Sequence, residues 1–181
     1  MKTPEAASKI VTLEALETLR ADWQRDGRIV VWTNGCFDLL HLGHIRSLQA
    51  AAALGDVLVV GVNSDASVRR LKGLSRPLVG QEERAEQIAA LACVDRVCVL
   101  DDDTPVAALA RIQPEIHCKG AEYAPPDGKP MPEAATVRAY GGEIRFLPLL
   151  PGVSTTELIR RLEMKANPRQ NPAIQSVVIG Q

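Results

Sequence analysis

Residues 28–55 read Arg28-Ile-Val-Val-Trp-Thr-Asn-Gly-Cys-Phe-Asp-Leu-Leu-His-Leu-Gly-His-Ile-Arg-Ser-Leu-Gln-Ala-Ala-Ala-Ala-Leu-Gly55 and contain a complete strand-to-helix transition. The apolar run 28–33 is typical of a buried strand, and it ends at Asn34-Gly35. The alanine-rich run 45–54 predicts a helix that stops at Gly55. A strand that leads through a short turn into a helix is the repeating unit of α/β folds.

The same alternation continues on both sides of this stretch. Upstream, apolar residues at spacings of three and four predict an amphipathic helix over 10–26. Downstream, we predict strands at 56–62, 94–100, 115–118 and 143–147, and helices at 81–91, 105–112, 132–140 and 155–164. Apolar strands alternating with helices predict an α/β fold, a single Rossmann-like doubly wound domain with a mostly parallel sheet. Ligands of such folds bind outside the carboxyl ends of the strands.

The predicted elements divide the chain into three parts. We expect a helical extension over 1–27 and the main α/β domain over 28–164. Residues 165–181 are rich in Asn, Gln and Pro without a sustained period, so we expect a tail that is flexible or held by a partner chain.

Composition narrows the class of protein. The 181 residues are 46% hydrophobic and carry a formal net charge of -1, without the basic stripe of a nucleic-acid-binding protein. No apolar run approaches the roughly 20 residues that span a membrane, and the first residues lack a secretory signal. The four cysteines have no zinc-site spacing. We therefore expect a cytoplasmic protein with reduced thiols and neither a nucleic-acid nor a membrane partner.

Two of the three histidines of the chain lie in the turn that opens the helix after the first strand. His41 and His44 are three residues apart and project from one face, with Gly43 between them leaving room for a close approach of phosphate. A helix N-terminus favours an anion, so this turn predicts a phosphate site. Two surface histidines that begin a helix by chance are the alternative. A Ser-Thr-Thr segment at 154–156 opens the last predicted helix and is either a second phosphate site or a plain N-cap.

These motifs together carry a resemblance to a known family. Gly35-Cys-Phe-Asp-Leu-Leu-His-Leu-Gly-His44 resembles the H-x-G-H signature of the cytidylyltransferase-like nucleotidyltransferases, and Gly152-Val-Ser-Thr-Thr156 resembles their second signature. The resemblance runs from Leu13 to Leu162 and is closest to the adenylyltransferases of ADP-heptose synthesis. It implies transfer of AMP from ATP to a sugar 1-phosphate, D-glycero-β-D-manno-heptose 1-phosphate, with release of pyrophosphate. It also implies Mg²⁺ with ATP, a homodimer, and a separate sugar kinase that supplies the acceptor.

The resemblance implies roles for individual residues. His41, His44 and Lys72 are the expected catalytic residues. The expected nucleotide-binding residues are Thr33, Asn34, Gly35, Cys36, Phe37, His41, Gly43, His44, Lys119, Gly120, Val153, Ser154, Thr155 and Thr156. The expected substrate-binding residues are Asp38, Asp65, Lys72, Arg76 and Arg84, and Asp38 is also the expected metal ligand. Structural alternatives stay open for this last set: a helix-start carboxylate for Asp38, a helix cap for Asp65, a solvated face for Lys72 and a surface ion pair for Arg84.

Other functions are also compatible with the pattern. A cytidylyltransferase acting on a small alcohol phosphate, such as glycerol 3-phosphate, shares both signatures. Such enzymes typically place an arginine where Leu149 stands, which counts against this branch. The Ala121-Glu122 pair stands where the heptose enzymes often have Gly-Asp, so the contacts to base and sugar stay open. A catalytically silent nucleotide-binding module is the alternative from outside the enzymes.

Overall fold

The computed structural model of the chain describes residues 5–166, and its centre is a parallel β-sheet. The strands are β1 (Val30–Gly35), β2 (Val57–Asn63), β3 (Arg96–Leu100), β4 (Ile116–Gly120) and β5 (Glu143–Leu147). The α-helices are α1 (Leu13–Arg25), α2 (Leu42–Ala52), α3 (Asp65–Lys72), α4 (Gln81–Ala89), α5 (Val106–Ile112), α6 (Ala134–Ala139) and α7 (Thr155–Ala166). Short 3₁₀ turns lie at Ala6–Lys9 and Ala121–Tyr123.

Helices cover both faces of the sheet. Alternate strand residues point to opposite sides, so Val31 and Trp32 belong to different cores. On one face α2 and α4 bury residues such as Leu48 and Ile88 against the sheet. On the other face α1, α5 and α6 pack, and Leu16 of α1 is fully buried there. The first helix therefore contributes directly to the aliphatic core of the domain.

The strand order creates a crevice at the centre of the sheet, between the ends of β1 and β4. The order is β3-β2-β1-β4-β5, and every pairing is parallel. The chain moves outward from β1 to β2 and β3, then returns to the other side of β1 to form β4 and β5. The direction of winding therefore changes between β1 and β4, and the ends of these two strands flank the ligand crevice of a doubly wound fold.

The structure confirms the predicted fold class and shifts some element boundaries. Helix α2 begins at Leu42, three residues before the predicted Ile45, because the side chain of His41 caps it. The sequence pattern does not delimit helix α3, since its charged residues hide the short apolar face. The last helix continues to Ala166, and the remainder of the predicted tail lies outside the described residues. No described helix has the length and apolar character needed to cross a membrane.

Candidate active site

A cleft of about 950 Å³ opens at the carboxyl ends of β1 and β4. Its wall includes every residue predicted for nucleotide binding, from Thr33–Phe37 at the end of β1 to Val153–Thr156 at the start of α7. Three of the predicted substrate-binding residues, Asp38, Lys72 and Arg76, also line it. The remaining two, Asp65 and Arg84, do not. The fold thus gathers two distant sequence motifs into one cavity.

The two histidines form a stacked pair at the start of α2. Their rings lie 3.7 Å apart between centroids, with an angle of 17° between the planes. His41 is the N-cap of α2, and its Nδ1 accepts a hydrogen bond of 3.3 Å from the backbone N–H of His44. An Nδ1 that accepts leaves the proton of a neutral imidazole on Nε2. His41 can therefore donate from Nε2 to a ligand.

Both histidines are neutral near pH 7. Burial, reinforced by the neighbouring His41, lowers the pKa of His44 to about 4. Burial also lowers the pKa of His41 below its usual value. The Nδ1 atom of His44 is buried without a hydrogen-bond partner in the described structure. The pair therefore offers hydrogen-bond donors rather than fixed positive charges to an anion.

Two neighbours of the histidine pair, Phe37 and Gly43, fit closely around its rings. Phe37 has a positive φ of 48°, and its ring meets the His44 ring edge-on at 5.3 Å. A Cβ atom on Gly43 would lie 3.0 Å from the His41 ring and 3.4 Å from the carbonyl oxygen of Val153. Glycine at this position therefore lets the His41 ring fold back while the segment before α7 approaches α2.

The second signature forms the N-terminus of a 12-residue helix that also faces the cleft. Ser154 Oγ accepts a hydrogen bond of 3.1 Å from the backbone N–H of Glu157, which is the geometry of an N-cap. The capping role and a phosphate role are compatible, because capping uses one of the several free N–H groups at a helix start. Leu149, on the adjoining segment, is 56% exposed and lines the same cleft.

Lys119, at the end of β4, belongs to a charge network that sequence reasoning missed. Its Nζ lies 2.9 Å from Glu133 Oε1 and 3.5 Å from Asn34 Oδ1. Glu133 is 2% exposed, and its carboxylate also lies 3.4 Å from His117 Nε2. Although burial opposes ionisation, the hydrogen bonds from His117 and Lys119 lower the pKa of Glu133 to about 2. Lys119 therefore faces the cleft with its charge already compensated.

Asp38, the predicted metal ligand, is buried among contacts within the protein. Its carboxylate is 1% exposed and pairs with Nε of Arg76. The other oxygen accepts hydrogen bonds from the backbone N–H groups of Leu78 and Val79, at 2.7 and 3.0 Å. Both oxygens are thus occupied within the protein. Asp38 therefore ties the segment between α3 and α4 to the histidine turn.

Arg84 and Asp65, two predicted substrate-binding residues, form an ion pair with each other. Arg84 is fully buried, so it cannot reach a ligand in the cleft. Its guanidinium donates to the carbonyl oxygens of Cys36, Asn63 and Val79 and to the Asp65 carboxylate. It joins the ends of β1 and β2 to the segment before α4. The Asp65–Arg84 pair lies outside the set of residues that line the cleft.

Lys72 is the cleft-lining cation that keeps its charge available. It is exposed at the end of α3 and forms no ion pair within residues 5–166. Arg76 lines the same region, but Asp38 already pairs with it. Across the described part of the chain, no three His, Cys, Asp or Glu side chains come together as ligands for a metal ion.

The fold and this cleft define a nucleotidyltransferase. The chain matches the Cytidylyltransferase-like family over residues 32–161, and it belongs to that family. A solved lipopolysaccharide core biosynthesis protein from Thermoplasma volcanium superposes with a TM-score of 0.55 at 28% identity, covering 68% of this chain and 98% of that one. A pantoate–β-alanine ligase from Francisella tularensis also gives a TM-score of 0.55, at 14% identity over 90% of this chain and 79% of that one, and shows the shared fold alone.

Relatives with higher sequence identity to this chain are named bifunctional protein HldE. The chain is 48% identical to the protein from Syntrophotalea carbinolica over 160 residues, which are 87% of this chain and 32% of that protein. It is 46% identical to the protein from Geobacter sulfurreducens over 158 residues, again 87% of this chain and 32% of the relative. The chain thus spans about a third of the length of these relatives. The predicted resemblance to the enzymes of ADP-heptose synthesis is confirmed at the level of sequence similarity.

Proposed function

We propose that the chain transfers AMP from ATP to a sugar 1-phosphate, most specifically D-glycero-β-D-manno-heptose 1-phosphate, and releases pyrophosphate. The observation that carries this proposal is the meeting of two helix N-termini, those of α2 and α7, at one cleft beside a pair of neutral histidines. Two helix starts and several N–H donors suit a triphosphate, which carries its charge over three adjacent groups. Similarity to the HldE proteins supports the choice of sugar.

The reaction needs no covalent bond to the protein. An oxygen of the sugar phosphate attacks the α-phosphorus of ATP, a new P–O bond forms, and the bond to pyrophosphate breaks. His41 and His44 donate hydrogen bonds to the α- and β-phosphates, where negative charge increases in the transition state. The start of α7, with Ser154–Thr156, holds the β- and γ-phosphates. Catalysis then rests on alignment of two anions and on charge stabilisation.

The unpaired ammonium of Lys72 provides a binding site for the phosphate of the acceptor sugar. Lys72 follows β2, on the side of β1 opposite Lys119 and β4. The acceptor phosphate binds Lys72 on this side, and the nucleoside lies on the β4 side. The two substrates then approach each other over the histidine turn at the end of β1.

Mg²⁺, a homodimer and a kinase that supplies the sugar 1-phosphate complete the proposal. Mg²⁺ usually keeps several waters and binds substrate phosphates with one or two carboxylates, which agrees with a site that lacks a dedicated protein cage. Asp38 already pairs with Arg76 and accepts two backbone hydrogen bonds, so no step of the mechanism is assigned to a metal held by that residue.

Pyrophosphate release with Mg²⁺ and heptose 1-phosphate tests the proposal, with ATP and CTP compared side by side. We expect release with ATP that depends on the sugar phosphate. His41→Ala and His44→Ala should each lower kcat by about 100-fold or more, because each removes a donor to developing charge. Release with CTP alone would favour the cytidylyltransferase alternative. Binding of triphosphate with no release for any phosphate acceptor would favour a silent nucleotide-binding module.

A further inference from the structure

The carboxylate of Glu122 stands out among the charged groups of the cleft. Glu122 lies in the 3₁₀ turn that follows β4 and lines the cleft. Its Oε2 atom is buried and has no hydrogen-bond partner within the described structure. A buried carboxylate oxygen without a donor is costly, unless a ligand supplies the donor.

The neighbouring backbone makes room for this carboxylate. Glu122 folds back over Gly120, and a Cβ atom on that glycine would collide with Oε2. The side chain therefore lies against the end of β4 instead of extending into solvent. Any residue other than glycine at 120 would push the carboxylate away from this position.

No cation that lines this part of the cleft is free to pair with Glu122, and the nearby Lys129, which does not line the cleft, has its ammonium 5.5 Å from the centre of the Tyr123 ring. Lys119, which precedes the turn, already has Glu133 at 2.9 Å. Arg76 is paired with Asp38 on the far side of the histidine turn. Glu157, a cleft-lining glutamate that does not pair with Lys119, forms ion pairs with Arg160 and Arg161. Glu122 is thus an acceptor without a donor in a cleft that otherwise suits anions.

We propose that Glu122 accepts a hydrogen bond from the nucleoside half of the triphosphate and so helps to select the nucleotide. The proposal rests on the function proposed above, because that function places the nucleoside on the β4 side of the cleft. Two donors of a nucleoside fit this chemistry, the exocyclic amine of the base and a ribose hydroxyl. An amine donor makes Glu122 select against bases without an exocyclic amine, and a ribose donor makes it select against deoxynucleotides. Adenine and cytosine both carry an exocyclic amine, so neither donor distinguishes ATP from CTP.

Analogues of ATP that each lack one donor test the proposal. Purine riboside triphosphate lacks the 6-amino group, and 2′-deoxy-ATP and 3′-deoxy-ATP each lack one hydroxyl. Calorimetry gives the Kd of each nucleotide without acceptor, and pyrophosphate release gives kcat/KM. For one analogue, we expect a wild-type penalty of about tenfold or more relative to ATP, as for a hydrogen bond to a charged group. In Glu122→Ala that penalty should fall to about twofold.

The analogue that loses its penalty identifies the donor, and two further variants serve as controls. Glu122→Gln keeps an acceptor oxygen and should retain part of the penalty if Glu122→Ala folds poorly. Glu157→Gln changes a carboxylate that lines the same cleft, and its penalties should match the wild type. Equal penalties in wild type and Glu122→Ala for all three analogues would overturn the proposal. So would a defect confined to KM for the sugar phosphate, or one that is rescued by more Mg²⁺. If the wild type binds these nucleotides but transfers none, the proposed function fails, and the Kd comparison still decides the role of Glu122.

Discussion

Replacing Asp38 by asparagine should destabilise the protein rather than remove a metal ligand. The carboxylate pairs with Arg76 and accepts two backbone hydrogen bonds from residues 78 and 79. Asparagine keeps one acceptor oxygen but loses the charge and turns an NH₂ group towards a cation. Breaking a buried pair by changing one partner costs about 3–5 kcal/mol, and we expect about 3 kcal/mol because Arg76 is 18% exposed. Asp38→Ala also strands two N–H donors and should cost about 1–2 kcal/mol more.

Urea unfolding followed by circular dichroism measures this loss of stability. A double-mutant cycle with Arg76→Gln provides the control, since Asp38→Asn should cost less than about 1 kcal/mol once its partner is gone. If instead Asp38 held a metal, Asp38→Asn would leave the unfolding free energy within about 0.5 kcal/mol and raise the Mg²⁺ requirement. That result would refute the structural role derived from these contacts.

Three further predictions concern the histidine turn, the acceptor side and the back of the cleft. Because burial lowers the pKa of His44 to about 4, the unfolded state takes up this proton first as the pH falls, and stability is lost between about pH 6.5 and 4. Relative to His44→Gln, the wild type should lose about 2 kcal/mol between about pH 7 and pH 5, measured by urea unfolding. Lys72→Ala should raise KM for the sugar phosphate about tenfold, because it removes the free cation of the cleft, and leave KM for ATP unchanged in steady-state assays. Arg84→Met should lower the unfolding free energy by about 3 kcal/mol or more, because it strands Asp65 and three carbonyl oxygens.

Each of these predictions has an outcome that contradicts it. A pH profile of His44→Gln that runs parallel to the wild type would show that His44 titrates normally. Arg69→Ala removes an exposed charge of the same helix that lies outside the cleft. If it raised KM for the sugar phosphate as much as Lys72→Ala, Lys72 would make no specific contact with that substrate. Arg70→Met breaks a half-exposed pair with Asp103 and an exposed hydrogen bond to the carbonyl oxygen of Asp101, and it should cost less than about 1 kcal/mol. A similar cost for Arg84→Met would mean that its buried hydrogen bonds contribute little.

The sequence predicted those parts of the site that are local in the chain. The strand, the turn and the helix that carry His41 and His44 lie within residues 30–52, so their periodicity and spacing already place both imidazoles at a helix start. The Ser154 cap follows from the same local logic. Parallel pairing brings these segments together at one sheet edge, because the carboxyl ends of the strands all point the same way.

Local periodicity and spacing do not predict contacts between segments that are distant in the sequence. Asp38 meets Arg76 and Arg84 meets Asn63 only after β1, β2 and α4 have packed. Nothing in the local spacing distinguishes these two paired arginines from fully exposed ones. A loop rich in proline separates Glu133 from its partner Lys119. The burial of Glu133 depends on how that loop returns over β4. A buried ion pair needs a specific partner, and the sequence alone does not name it.

The fate of the α-phosphorus of ATP tests the central claim most directly. The chain would be incubated with Mg²⁺, heptose 1-phosphate and ATP labelled at the α-phosphorus, and the products separated by anion-exchange chromatography. We predict that the label appears in an ADP-sugar in amounts equal to the pyrophosphate released, and that His44→Ala forms it about 100-fold more slowly. Label that stays in ATP, or appears only in AMP or on the protein, would contradict direct transfer between two bound substrates.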